Sequence, residues 1–553
     1  MTAACLVLSS LSVFAQQGTP LFFNQSDGSS VRVLFSDLDS ARFEQDNNVG
    51  TFFMNDGTSY VSYSLKSCLD SISFTTPKGR IVEFPNPDDI SVAFDASDES
   101  SYRNVAETVI SDDSNPDYDD FVENFEYNNT ITITYSGGTA VANPSGVKDV
   151  TIRIDGAHVN VTAAKKIRYV LKGETANGSF KITSDKKFIL ELSGVNITNP
   201  NGSAINIQSG KPTYLVLGRG TSNALTDGSQ YAIVGDEDQK GTIFSEGELL
   251  ISGSGSLSVT SKSAHGICSD DYIRLRDNLG SLTVNAAVDG ISSKLRLVMY
   301  GGQVNVTAGD DGVVVRRGYM ELMGGSLTVK ATDNGMDATY SQNDTTYFKM
   351  GGGLLKVETT GDKGHGIACS GNMTFTGGIL QAKVAGSASK SVNCDGDISL
   401  KDTKLTLLTD GAPLYNEEEA DYSSAAGIRC RGSFSAINSK IGIRSTGRGA
   451  KGFNCDAGFS IDGCDITAVS SGGTFTYGGG TILSKALECA GLEIKNASRL
   501  MLSASCAAMH VKGDYLQKGG TVYSFSSEQS SPATDIRGTR TISGGLLYQS
   551  VVN

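Results

Sequence analysis

The 553-residue sequence has no tryptophan and only 10 prolines. Without Trp, any stacking on sugar rings falls to tyrosine. So little proline, beside 65 glycines, argues against collagen and against a Pro-rich disordered chain. Basic residues are in deficit, 46 against 60 acidic for a net charge of −14, which disfavours nucleic acid unless a cation intervenes. Beyond the N-terminus no stretch approaches the roughly 18 apolar residues of a membrane span. The 10 cysteines include no Cys-x-x-Cys pair and no zinc-like spacing. What is abundant is glycine, which suits many tight turns between short strands. The chain is too long for one ordinary domain, so several domains or one repetitive architecture is expected.

The apolar run at residues 5–15 (CLVLSSLSVFA) ends in Val13, Phe14 and Ala15, with small residues where a signal peptidase inspects them. Residues 1–15 therefore read as an export signal, placing the protein at the cell surface, in the periplasm or outside the cell. Residues 16–95 contain a duplication: Phe22-Phe23, Asp27-Gly28 and Phe43 recur as Phe52-Phe53, Asp56-Gly57 and Phe74. Each copy is a strand, an Asp-Gly turn and further strand, a β-hairpin signature. It resembles the small hairpin unit near the N-terminus of many exported surface proteins of Gram-negative gut bacteria, and reads as a spacer. Between Asp95 and Glu126 stand eleven acidic residues and one basic, Arg103. Residues 96–128 thus read as a solvated acidic linker.

From residue 129 to 553 the pattern is that of a solenoid. A unit of the form small, any, Gly, apolar, any, small centres on Gly266, Gly290, Gly312, Gly335, Gly366, Ser391, Gly427, Gly452, Ala486, Ala508 and Asp535. Insertions such as residues 412–424 (APLYNEEEADYSS) map to loops on one face. About three short strands fall in each unit. The expected fold is all-β: a right-handed, single-stranded parallel β-helix of the pectin-lyase-like kind, each coil pairing with the next at about 4.8 Å. Cys369, Cys394, Cys430, Cys455 and Cys489 share one inward column, which reads as a reduced ladder because parallel Cβ vectors make a disulfide dihedral awkward.

Acidic residues gather at one place in the repeat: Asp270, Asp271, Asp289, Asp310, Asp311, Asp333 and Asp337. Superposed coils put Asp289 and Asp311 one strand spacing apart, with Asn334 above. Stacked carboxylates repel, and hard oxygen ligands in such number are what Ca²⁺ takes. The plainer alternative is a turn column in which Asp and Asn cap corners. No catalytic residue is assigned. The run Gly309-Asp310-Asp311-Gly312 followed by Gly364-His365-Gly366 is similar to the acid pair and histidine of polygalacturonases, but a whole coil, Gly335, lies between. A lyase needs a Lys or Arg base beside calcium, for which Lys294, Arg316 and Arg317 are near in sequence. With Tyr272, these three are the candidate sugar contacts.

Residues 241–256 (GTIFSEGELLISGSGS), 265–272 (HGICSDDY), 287–292 (AVDGIS) and 309–313 (GDDGV) resemble the carbohydrate-binding, polysaccharide-lyase-like β-helix proteins. The resemblance covers roughly residues 129–400. It implies calcium, a polysaccharide partner such as acidic pectin or cellulose of plant cell walls, and ligands at Asp270, Asp271, Asp289, Asp310 and Asp311. Calcium shared between protein and sugar carboxylates would let an acidic chain hold a polyuronate. The expectation is an exported, monomeric, calcium-dependent polysaccharide-binding protein. A lyase or hydrolase on the same fold, and a surface adhesin, are the alternatives.

Overall fold

The computed structural model describes residues 90–553, save 233–234, 236, 340–345, 418–419, 528–531 and 552–553, together with strands between residues 20 and 85. The expected export segment, residues 1–15, lies outside the described residues. In the N-terminal region Pro20–Gln25 pairs antiparallel with Ser30–Leu34, and Val49–Met54 with Leu38–Glu44 and Tyr60–Ser64. Leu69–Thr75, from the second sequence copy, pairs with Pro20–Gln25 of the first, so the duplicated units exchange strands.

From Asn129 onward, short apolar strands separated by glycine corners wind into coils of three strands, for example Ile291–Ser293, Arg296–Met299 and Gln303–Ala308. One ladder of sixteen strands runs from Val150–Asp155 to Thr534–Ile536. Its register stacks Ile267, Ile291, Val313, Met336 and Ile367, each 0–1% exposed, in one inward column. The other two ladders start in single long strands such as Phe188–Thr198, which pairs with both Thr213–Leu217 and Ser222–Thr226. They rejoin in Tyr515–Ser526 and Arg540–Val551. The architecture is the expected all-β, right-handed parallel β-helix.

Glycine is required at two kinds of corner. The last glycine at four successive glycine corners, Gly302, Gly325, Gly353 and Gly378, takes φ between 78° and 90°, a region that side chains with a Cβ seldom enter. The repeat glycines answer to space instead. A Cβ on Gly312 would stand 2.1 Å from Val329 Cγ1 and 2.5 Å from the Gly335 carbonyl oxygen of the next coil.

The first coil is closed by antiparallel strands of the helix itself: Thr139–Asn143 on Asn129–Ser136, and Val150–Asp155 on Ala157–Ala163. Two expectations are corrected. The last repeat centre is Ala533, in register with Ala508, because Thr534 pairs with Met509 and Asp535 with His510. The acidic segment is not a solvated linker. It is a strap laid along successive coils, with Asp98, Asp120 and Phe121 buried. Lys404 pairs with Asp98, Lys356 with Glu99 and Arg296 with Asp117. The Val105 amide donates to the Met323 carbonyl at 2.8 Å. At its centre Glu107, with its side chain 1% exposed, bridges Arg274 and Arg276 at 2.8 and 2.7 Å, and both guanidiniums lie over the Phe121 ring. The strap's carboxylates thus meet cations that the coils present outward.

The cysteine column is a ladder of free, buried thiols. Earlier coils hold Ser245, Ser269 and Ser293 and then the apolar Val315 and Ala338 at the same position. Ser269 Oγ donates to the Gly247 carbonyl at 3.0 Å and Cys394 Sγ to the Gly371 carbonyl at 3.2 Å. Each is a small group closing a corner with a weak bond to the preceding coil. Burial pushes the Cys369 thiol up to about 11 and Cys489 up to about 12.

Candidate functional site

The corner between the third strand of one coil and the first strand of the next carries the acidic cluster. Backbone bonds fix its stacking: the Gly290 amide donates to the Asp311 carbonyl and the Gly312 amide to the Asn334 carbonyl, at 3.0 and 2.8 Å. One column therefore reads His265, Asp289, Asp311, Asn334, His365, Lys390. Beside it stand Asp310 and Asp333, the Asp333 amide donating to the Asp310 carbonyl.

A carboxylate oxygen from each of Asp310, Asp311 and Asp333 lies within 4.8 Å of the others. Asp310 is exposed, Asp333 half-buried and Asp311 buried. Two like charges 4.8 Å apart repel by about 3 kcal/mol at an effective dielectric of about 20, less where water reaches Asp310. Burial, with Asp337, Asp289 and Asp333 facing it, pushes the Asp311 carboxyl up to about 7. Burial pushes Asp289 up to about 6, against the pull of Arg316, with Asp310 adding to the rise. Oxygens this close suit one hard cation: ligands at about 2.3–2.6 Å on opposite sides of Ca²⁺ stand about 4.6–5.2 Å apart. The donor set fits a calcium ion.

The other candidates are placed as follows. Asp289, 2% exposed, lies beside the cluster with Arg316 at 3.1 Å. The Asp289 amide donates to His265 Nδ1, and burial, then Arg316, holds that imidazole down to about 4, so it is neutral and its contact with the carboxylate is no ion pair. Asp337, 3% exposed, accepts from the Thr339 amide at 2.8 Å, and burial raises its carboxyl. Asp270 and Asp271 are not brought into the trio. They occupy the next corner of the coil, where Asp270 pairs with Lys240 at 2.6 Å and Asp271 is raised chiefly by burial, against the charges of Arg296 and Lys294. Lys294 is half-buried at that corner and Arg317 is exposed beside Arg316. Tyr272 is corrected outright. It is 1% exposed, beneath the Arg296 guanidinium at 4.0 Å from the ring centroid, and cannot meet a polymer. His365, which made the hydrolase-like run, is half-buried above Asn334, and its Nδ1 accepts from the Lys390 amide. It repeats the bond made by His265 and closes a corner.

With this geometry in place, comparison with known proteins is decisive for the family. The family model for carbohydrate-binding domain-containing proteins matches residues 155–479. The chain belongs to this family. The family match runs past residue 400, where the sequence resemblance ended. A carbohydrate-binding domain-containing protein of Acetivibrio thermocellus is 29% identical over 259 residues, 41% of this chain and 90% of the relative. A solved structure of the polysaccharide lyase-like protein from C. thermocellum, a gadolinium derivative, aligns over 50% of this chain and 96% of its own, with 22% identity and a TM-score of 0.39.

The sequence missed two features of this carbohydrate-binding domain. One is the hairpin Phe475–Tyr477 with Gly480–Ile482, whose signal was three glycines, 478–480, between β-prone residues. The other is a lysine cluster, invisible because its members are 27 to 34 residues apart. A groove of about 660 Å³ lined by Tyr102, Asn104, Ser281 and Gln303 follows the strap, away from the carboxylates.

Proposed function

We propose that the protein is an exported, monomeric, calcium-dependent binder of acidic plant cell-wall polysaccharide of the pectin type. The observation that carries this reading is the convergence of Asp310, Asp311 and Asp333 within one ion's reach. Calcium there supplies a positive centre shared with a sugar carboxylate. The protein's part is to hold Asp311 and Asp333 at the corner, while exposed Asp310 leaves one side open. Arg316 and Arg317 follow at the corner just after strand Val313–Val315 and supply fixed positive charge for neighbouring uronates. The engagement of Arg316 by buried Asp289 favours this binding role over that of a lyase base. Among the described residues no helix is long and apolar enough to cross a membrane.

Electrophoresis through gels containing polygalacturonate tests the reading. Retardation is expected to be strongest with calcium, and its calcium-dependent part is lost on adding chelator and in Asp311→Asn. Equal mobility with and without the polymer contradicts it, and unsaturated products absorbing in the ultraviolet would favour the lyase.

A further inference from the structure

The later coils carry charge of the opposite sign. The outward column that holds Asp337 passes through Ala368, Asn393, Arg429 and Asn454 to Glu488, His510 and Asp535. Three lysines converge on Glu488: Lys451 at 2.7 Å, Lys485 at 3.2 Å and Lys512 at 3.1 Å. One carboxylate neutralises one ammonium, so the group keeps two positive charges. Its other neighbours do not remove them. His510 is kept below its ordinary value by burial and by Lys485, and Asp535, which bonds it at 2.7 Å, also faces Arg537 at 3.6 Å. Lys451 and Lys485 are each only 16% exposed. Burial and the two neighbouring lysines lower Lys485 in spite of Glu488. Half-buried like charges in such excess are costly unless an anion completes the set.

A ring ledge stands at the corner leading into this strand. Hairpin Leu414–Asn416 with Asp421–Ser423 projects from one coil, and Phe475–Tyr477 with Gly480–Ile482 from the coil that continues into Lys485. Tyr422 lies 4.1 Å from Tyr477 and 5.5 Å from Phe475, and Tyr415, 47% exposed, packs edge-on against Tyr422. The Tyr477 ring folds over Gly480, where a Cβ would meet it at 2.8 Å. Tyr415 therefore offers an open ring on a rigid base, the apolar surface that a pyranose face needs.

We propose that Lys451, Lys485 and Lys512, with the Tyr415 ledge, form a second, metal-independent site for a carboxylate-bearing sugar chain. The lysines take the carboxylate and Tyr415 takes a ring face. This deepens the acidic-polysaccharide reading, on which it rests, but it requires no cation.

Equilibrium binding of the whole protein to polygalacturonate in excess chelator tests it. Residual, salt-sensitive affinity is expected, reduced about tenfold by Lys512→Gln and further by adding Lys485→Gln, with the unfolding temperature of Lys512→Gln unchanged. Asp311→Asn keeps this residual affinity while losing the calcium-dependent part, so the two sites fail independently. Absence of binding in chelator, full binding by both lysine variants, or equal binding of an uncharged glucose polymer overturns the proposal.

Discussion

At the scale of single residues, Asp311 is where fold and function meet. Its folded value of about 7 stands far above its ordinary 3.8, and Asp289 shares the direction with a value of about 6. A carboxyl raised on folding binds more protons in the native than in the unfolded state, so the metal-free protein loses stability as pH climbs from about 4 through about 7. Calcium binds the ionised forms and gains affinity over that same window. Half-buried His265 contributes the opposite slope, so thermal unfolding scans at pH 5 and pH 8 should compare the metal-free wild type with Asp311→Asn. The variant should lose less, or gain more, toward pH 8, and calcium should raise the wild-type midpoint most at pH 8. An identical pH dependence in the two metal-free proteins contradicts the assignment. The stack of Asp289, Asp311 and Asn334 was legible in sequence because the repeat period is regular there. Tyr272 was not, since the strap that buries it comes from more than 150 residues upstream, and Asp270 was not, since its partner Lys240 precedes the recognisable repeats.

Among the elements, the strap differs most from its sequence. A run of carboxylates reads as solvated because nothing local pairs with it, yet Arg274 and Arg276 from one coil and Arg296, Lys356 and Lys404 from three others rise to meet it. Glu107 is the keystone: Glu107→Ala leaves two guanidiniums beside Phe121 without their shared carboxylate. Removing one partner from so buried a set costs about 3–5 kcal/mol. Denaturant unfolding of this variant should show a loss of that size with an unchanged β-rich circular dichroism spectrum, whereas a loss below about 0.5 kcal/mol would mark the strap as loosely attached. The coils themselves were legible element by element. Strands, Gly-Gly corners and inward columns all follow from a period that repeats until the insertions interrupt it. The column of Ser293, Val315, Ala338 and Cys369 shows why five cysteines need no redox role: a small side chain fills that corner, with or without a donor.

On the scale of the whole molecule, the net charge of −14 conceals a gradient. The carboxylate corner and the lysine cluster are five coils apart along one ladder, about 24 Å at the spacing of paired strands. One anionic polymer can engage both, through a cation at one end and directly at the other. Everything in this picture depends on the β-helix stacking equivalent positions, so that Asp310, Asp311 and Asp333 hold one ion. Calorimetric titration of the metal-stripped protein with calcium at pH 8 tests that most directly. Saturable binding is predicted, with a Kd on the order of 10⁻⁴ to 10⁻³ M, the range of weak calcium-binding modules, lost on replacing Asp311 and Asp333 by asparagine. Heats of binding identical in the wild type and that double variant would contradict it.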